Sequence, residues 1–252
     1  MLSRASLALF CASLAGLASA RSQITTLDVD FSTYKPGTSL DRFVDEHQLF
    51  ISTYNTEAEP ISRIFLRENV DIVDGTLRLR VNGYSGSDDV EGAEIGTYRD
   101  DILYGTFTTV AKLTDVPGIC AGFFTYTDDN NEIDIEALSS YYTKGYRDIV
   151  DPGLQFTNQP TKLGGASTNK AVPYDFDPTK GFHNYTIVWT AESSEFYVDG
   201  KHQATFTTNV PKKPASFLWN AWSSGDPNWS AGPPREDSYT LIKSIHLAYT
   251  PA

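Results

Sequence analysis

The chain has 252 residues and a formal net charge of −12, with 32 acidic residues against 20 lysines and arginines. Nucleic acids and anionic membranes attract basic surfaces, so this acidic excess disfavours both as partners. The charge is compatible with a neutral substrate, although acidity alone selects none.

The first 20 residues have the pattern of a secretory leader. Arg4 supplies a positive start, the segment from Leu7 to Leu17 is apolar, and Ala18-Ser19-Ala20 is a small-residue cleavage site. The apolar run is too short to cross a bilayer. We therefore expect residues 1–20 to be a signal peptide, residues 21–252 to form one domain, and the protein to be secreted.

The two cysteines do not predict a disulfide. Cys11 would leave with the leader, and Cys120 would remain in an apolar stretch with no histidine nearby. This context predicts a buried, inert thiol. No His/Cys cluster indicates a metal site. Asn184-Tyr185-Thr186 and Asn228-Trp229-Ser230 are sequons for N-glycosylation, whose use depends on the host.

Short segments rich in β-branched and aromatic residues recur along the chain between turn residues. The segment 75–81 is the clearest, because apolar residues alternate there with Arg78 and Arg80. An irregular start with an edge strand is expected before Tyr54. Further strands are predicted at 63–66, 93–97, 104–113, 119–125, 154–157, 185–190, 195–200, 204–207, 216–222 and 241–249. Beyond the leader no stretch shows helical periodicity, so the pattern predicts an all-β sandwich or jelly roll.

The stretch 130–136 reads as a short strand with an acidic face. With a period of two, Ile133 and Ile135 point one way, whereas Glu132, Asp134 and Glu136 point the other way. Three like charges on one face do not stabilise a sheet. Four residues of strand separate the two glutamate Cα atoms by roughly 13 Å, and side chains that lean together leave about 5.5 Å between the carboxyl groups.

That separation has a chemical meaning. Two carboxyl groups about 5–5.5 Å apart suit glycosidic cleavage with retention, one as nucleophile and the other as proton donor. For an acidic alternating pentapeptide taken alone, however, an ordinary solvated face is the simpler interpretation.

Residues Glu132 to Glu136 resemble the E-x-D-x-E motif of glycoside hydrolase family 16, where x is hydrophobic. Other segments are similar to that family in the same order, over about Glu94 to Tyr249. They are Tyr104-Gly105, 123–127, 176–185, 196–201 and Asn220-Ala221-Trp222 followed by Trp229.

The resemblance implies a concanavalin-like two-sheet jelly roll with a concave substrate cleft, and retaining cleavage of β-1,3/1,4-glucans. By position Glu132 would be the nucleophile, Glu136 the general acid/base, and Asp134 the residue that tunes their protonation. No extra residue stands between Ile135 and Glu136, which favours substrates with β-1,4 bonds. Asn130, Asn131 and Ala137 depart from the family pattern and leave the substrate, and the balance of hydrolysis and transfer, open.

The resemblance and side-chain chemistry together suggest a set of substrate-binding residues. Aromatic rings stack on the apolar faces of neutral sugars, and polar groups set the orientation of the sugar. Asn220, Glu94 and Arg99 would hydrogen-bond sugar hydroxyls, although Arg99 is equally explained as a solvated charge beside Asp100 and Asp101. Rings expected in the cleft are Phe124, Tyr126, Trp222 and Trp229, of which Phe124 is equally explained as core; Trp189 and Trp219 are assigned to the core.

Three functions follow from this pattern. The first is an endo-acting β-glucan hydrolase, the second a glucan transglycosylase on the same scaffold, and the third a non-catalytic glucan-binding lectin. The crowded acidic trio disfavours the lectin, because binding alone does not need it. We expect a monomer whose partner is a β-glucan, with no cofactor required; family members often hold a structural calcium ion, which the sequence does not test.

Overall fold

The structure is a computed structural model that describes residues 23–35, 37–86, 89–143 and 153–252. The predicted leader, residues 1–20, lies outside these ranges. The described strands are β1 (Thr25–Asp30), β2 (Leu49–Ile51), β3 (Asn55–Thr56), β4 (Arg63–Phe65), β5 (Val70–Val73), β6 (Thr76–Val81), β7 (Val90–Thr97), β8 (Ile102–Lys112), β9 (Cys120–Asp128), β10 (Asn131–Leu138), β11 (Leu154–Asn158), β12 (Thr168–Val172), β13 (His183–Trp189), β14 (Ser194–Val198), β15 (Lys201–Phe206), β16 (Ser216–Trp222) and β17 (Ser238–Pro251).

The strands form two large sheets. Sheet I has the order β15-β14-β13-β8-β17-β6-β5, with β1 paired to β17. Sheet II has the order β12-β11-β10-β9-β16-β7-β4-β3, with β2 paired to β7. Neighbours that are distant in sequence, such as β9 and β16, pair through crossovers, as in a jelly roll. The prediction of an all-β two-sheet sandwich is confirmed.

The core lies between the sheets and is built by the period-two alternation of their strands. Ile133 and Ile135 are 0% and 1% exposed, so the apolar face of β10 points into it. Trp189 and Trp219 are also fully buried, as predicted. Their indole N–H groups are satisfied, because Trp189 donates to the Pro211 carbonyl at 3.0 Å and Trp219 to the Thr109 hydroxyl at 2.8 Å. Burial of each of these large side chains contributes about 1.5–3 kcal/mol to the free energy of unfolding.

Strand packing in the sandwich explains why glycine follows Tyr104 at this point in the chain. Gly105 is paired with Trp189 on one side and Tyr249 on the other. A Cβ atom at Gly105 would lie 2.5 Å from the carbonyl oxygen of Ala248, so a residue with a side chain does not fit. The preceding residue, Tyr104, has a φ of 56°, which bends the strand at this point.

Two short helices, which the sequence pattern did not predict, accompany the described strands. Helix α1 spans Leu40–His47, and a short turn, α2, spans Ser139–Tyr142. The Ser39 hydroxyl accepts a hydrogen bond from the Arg42 N–H at 3.4 Å, as an N-cap does. Gln48, at a φ of 53°, ends the helix. Its apolar residues follow helical spacing over two turns: Phe43 is fully buried, and Leu40 and Val44 pack against the core. Within the described residues no helix is long and apolar enough to cross a membrane.

Replacement of Gly105 by alanine should destabilise the sandwich. The new methyl group would meet the Ala248 carbonyl, and overpacking of this kind costs about 1–3 kcal/mol of unfolding free energy. Denaturant unfolding measures the loss. Gly181→Ala is the matched control, because the nearest atom to its added Cβ is 3.7 Å away. Equal losses in the two variants would contradict this account of Gly105.

Candidate active site

The three carboxylates of β10 share one face of sheet II, here named the cleft face. β10 lies between β9 and β11, and its register pairs Glu132 with Tyr126 and Glu136 with Gly122. The alternation that buries Ile133 and Ile135 in the core sends Glu132, Asp134 and Glu136 to the opposite side. A cavity of about 360 Å³ opens there. Its lining residues are Tyr54, Thr56, Arg63, Phe65, Glu94, Phe124, Tyr126, Asp129, Glu132, Asp134, Glu136, Leu218, Asn220 and Trp222.

Burial and mutual repulsion control the charge on this row. Burial raises the pKa of Glu132 to about 7, helped by the negative charges of Glu136, Asp129 and Glu94, while a hydrogen bond with Asp134 opposes the rise. Asp134 is 2% exposed, and burial raises its pKa well above the usual range, with the charges of Glu132 and Glu136 adding to the effect. Because both pKa values are raised and the two carboxyl groups are hydrogen-bonded, Asp134 and Glu132 can share one proton, with Asp134 as donor to the Glu132 carboxylate.

Glu136 has different neighbours from Glu132. The Cys120 thiol donates to Glu136 Oε1 at 3.1 Å. Burial raises the pKa of Glu136, whereas hydrogen bonds from Cys120 and the Trp229 indole and the positive charge of Arg63 lower it. Cys120 itself is fully buried, which raises its pKa well above the ordinary thiol value. The prediction of a buried thiol is confirmed, and the thiol also contacts a candidate catalytic group, which the sequence analysis missed.

A buried hydrogen-bond network lies on the other side of β9. Asn220 donates to Glu94 Oε2 at 3.1 Å and accepts from the Gly122 N–H at 3.1 Å. The hydroxyls of Ser52 and Tyr54 donate to Glu94 Oε1 at 2.6 and 3.0 Å. A Cβ atom at Gly122 would lie 2.6 Å from Asn220 Oδ1, so glycine gives the amide its space. Glu94 and Asn220 line the cavity, and the network holds both in place.

Aromatic side chains flank the carboxylates. Phe124, Tyr126 and Trp222 line the cavity, and Phe124 is only 9% exposed. The Arg63 guanidinium lies over the Trp222 ring, 4.1 Å from its centroid, and so covers one face of that ring. The Tyr126 hydroxyl donates to Asp129 at 3.0 Å.

A second cavity, of about 440 Å³, adjoins Glu136 on the β11 and β12 side. The predicted ring Trp229 lines it together with neutral polar side chains. The lining residues are Glu136, Gln155, Thr157, Gln159, Ser167, Asn169, Ala171 and Trp229. The Gln159 amide also donates to Asp134 Oδ2 at 3.0 Å, so this wall reaches the middle of the acidic row.

Arg99 does not join the site. It pairs with Asp101 and lines a separate cavity with Leu27, Thr97 and Tyr249, among others. Arg99 is an odd number of residues after Glu94, so the alternation that sends Glu94 to the cleft face sends Arg99 away from it. The structure therefore does not support the sugar-binding role that the resemblance implied for Arg99.

Several residues that line the cavity were not predicted from the sequence. Tyr54, Thr56, Arg63 and Phe65 come from β3, β4 and the segment just before them. They reach the site because β4 pairs in parallel with β7, a contact between distant parts of the chain that no local pattern reveals. Among the described side chains, no group of three or more His, Cys, Asp or Glu residues is placed to hold a metal ion. The calcium expectation involves backbone oxygens and stays a prediction.

Comparisons with known proteins agree on one family. The family described as glycosyl hydrolases family 16 matches residues 59–239. A beta-glucanase of Paenibacillus macerans is 32% identical over 164 residues, which are 62% of this chain and 63% of that protein. A beta-glucanase of Bacillus amyloliquefaciens is 31% identical over 183 residues, 69% of this chain and 68% of that protein. The chain thus spans just under two-thirds of the first relative.

Structural similarity supports the fold. A crystal structure of a prokaryotic beta-1,3-1,4-glucanase (lichenase) derived from a mouse hindgut metagenome superimposes with a TM-score of 0.68 at 24% identity. The match covers 90% of this chain and 100% of that one. The two-sheet sandwich is therefore the fold of that glucanase.

The raised pKa of Glu132 predicts a pH-dependent gain in stability when its charge is removed. Below the ordinary value of 4.5 the carboxyl is neutral in both folded and unfolded states. Between 4.5 and about 7 the unfolded state ionises first, so the wild type loses stability as pH rises, up to a plateau above about 7. Glu132→Gln has no carboxyl group to ionise at this position, so it does not lose stability in this way. Its melting temperature relative to the wild type should therefore rise through this window.

Thermal unfolding at several pH values tests the effect. Glu192→Gln, in an exposed turn, is the control and should show a difference from the wild type that does not vary with pH. A Glu132→Gln difference that is flat from about pH 4 to 8 would rule out the proposed charge burial.

Proposed function

Because this chain belongs to glycosyl hydrolase family 16, we propose that it is a secreted, endo-acting glycoside hydrolase that cleaves β-1,3/1,4-glucans with retention. The observation that carries the proposal is the placement of Glu132 and Glu136 on one face and in one cavity, with a buried Asp134 between them. The relatives named beta-glucanase support this substrate class.

In the first step Glu132 acts as nucleophile and Glu136 as acid. A Glu132 carboxylate oxygen forms a bond to the anomeric carbon while the bond from that carbon to the leaving oxygen breaks. Glu136 transfers its proton to the leaving oxygen. The hydrogen bond with Asp134 stabilises the Glu132 anion that this step needs.

In the second step the roles reverse. Glu132 is now a neutral ester, so one negative charge has left the row and the proton affinity of Glu136 falls. Glu136 takes a proton from a water molecule, the water oxygen attacks the anomeric carbon, and Glu132 leaves as a carboxylate. The thiol of Cys120, the indole of Trp229 and the charge of Arg63 all stabilise the Glu136 anion that this step needs.

The shape and lining of the cleft support an internal attack on a neutral chain. Cavities lie on both sides of β10, so a polysaccharide can pass over the acidic row instead of ending at it. The pairing of β10 with β9 is regular from Glu132 to Leu138, which supports the sequence-based preference for chains with β-1,4 bonds. The leader pattern in residues 1–20 supports secretion, and we propose that a single copy acts alone.

Transglycosylation is the second candidate function. It is favoured by the cavity of about 440 Å³ beside Glu136, whose amides and hydroxyls suit an acceptor sugar. An acceptor hydroxyl in place of water would use the same two glutamates. The lectin alternative is disfavoured, because a binding protein gains nothing from three carboxyl groups that raise one another's proton affinity.

Glu132→Gln and Glu136→Gln should each lower turnover on lichenan by at least about a hundredfold, because each removes a group that bonds to or protonates the reacting atoms. Reducing-end release on lichenan, laminarin and xyloglucan measures this. Glu192→Gln is the control and should keep wild-type rates. A transferase would reshuffle chain lengths without a net gain of ends, and a lectin would bind glucan with no release at all. Unchanged release in either variant would refute the assignment.

Cys120→Ala should move the alkaline limb of the pH profile upward. The thiol hydrogen bond lowers the pKa of Glu136, so its loss leaves the acid protonated to higher pH. Cys120→Ser keeps a donor at this position and should stay near the wild-type profile. The kcat/KM of lichenan cleavage across pH is the measurement. A limb that stays in place in Cys120→Ala would show that this contact does not tune Glu136.

A further inference from the structure

The cleft face continues past the first cavity to an aromatic pair made of half-buried Phe50 and exposed Tyr98. Their ring centroids are 5.6 Å apart. Tyr98 is 68% exposed, which is among the highest exposed fractions of the large hydrophobic side chains in the described residues. Neither ring lines the cavity around Glu132.

Both rings lie on the same side of sheet II as the carboxylates. Gly96 is two residues after Glu94 and therefore faces the cleft. A Cβ atom at Gly96 would meet the Phe50 ring at 2.8 Å and the Leu218 side chain at 3.1 Å, so Phe50 lies over Gly96 beside a residue of the cavity wall. Tyr98 follows on the same face, and its N–H donates to the Gln48 carbonyl at 2.8 Å, which continues the pairing with β2.

The pair lies across sheet II from the strand that carries the proposed nucleophile. Glu132 is paired with Tyr126, and Tyr126 with Ser216. Leu218 is paired with Gly96, and Tyr98 lies just past the end of β7. In the order of sheet II, β7 lies three strand spacings, about 14 Å, from β10, a distance of roughly three sugar rings.

We propose that Phe50 and Tyr98 form a distal subsite that binds a β-glucan chain several units from the bond that is cut. This inference rests on the proposed function. The occupant is a neutral sugar chain because the pair is continuous, across Leu218, with the Phe124 and Tyr126 side of the cavity. An exposed ring offers an apolar face to a pyranose, and a fixed neighbour such as Phe50 limits the entropy lost on binding.

The test compares substrates that reach the pair with substrates that do not. In Tyr98→Ala, kcat/KM on lichenan should fall roughly three- to tenfold, through KM, as expected for the loss of one aromatic face. On a mixed-linkage trisaccharide the variant should match the wild type. Tyr98→Phe keeps the ring and should behave as the wild type on both. Tyr239→Ala removes an exposed tyrosine of sheet I and is the matched control.

Binding separates this proposal from the proposed function. In a Glu132→Gln background, adding Tyr98→Ala should weaken retention on a lichenan affinity gel by a similar factor. If the wild type cleaves no glucan but retention still depends on Tyr98, the function fails and the subsite stands. If cleavage is normal and Tyr98→Ala changes neither KM nor retention, the subsite fails. A wild-type dimer in sedimentation that Tyr98→Ala dissociates would make the pair a contact between copies and overturn the proposal.

Discussion

The chemistry of the candidate site depends on the desolvation of three carboxyl groups along one strand. β10 buries Ile133 and Ile135 in the core, and the same alternation drives Glu132, Asp134 and Glu136 into a partly closed cavity. Ions removed from water at this spacing cannot all remain charged, so protons are held and shared along the row. A sandwich with neutral residues at these three positions would be more stable. The free-energy cost of burying the carboxyl groups therefore indicates a functional site.

The two ends of the acidic row have different surroundings. Glu132 shares a proton with buried Asp134, whereas Glu136 receives hydrogen bonds from the Cys120 thiol and the Trp229 indole. In the proposed mechanism the first arrangement stabilises the anion that attacks, and the second stabilises the anion that forms in the second step. The difference between these two identical side chains thus comes from their neighbours on β9, on β10 and in the loop that carries Trp229.

Support for the row comes from strands that are distant in sequence. Asn220 on β16 bridges Glu94 on β7 and the backbone of Gly122 on β9, so one side chain ties three strands together under the cavity. Arg63 reaches the same cavity from β4 and lies over Trp222. Rigid strands, instead of loops, therefore position most of the groups around the carboxylates, which suits chemistry that tolerates little misplacement.

Local sequence determined the all-β class, the two core tryptophans and the shared face of Glu132, Asp134 and Glu136, because period-two alternation is a property of the extended backbone itself. Tertiary structure alone decided which strands became neighbours. It brought Arg63 and Tyr54 to the cavity and set the Cys120 thiol against Glu136. Helix α1 was not predicted, although Leu40, Phe43 and Val44 carry its helical spacing, because a pattern of only two turns is weak evidence in a chain rich in strands. Pairing between distant segments follows from the packing of the whole sandwich, which no window of sequence contains.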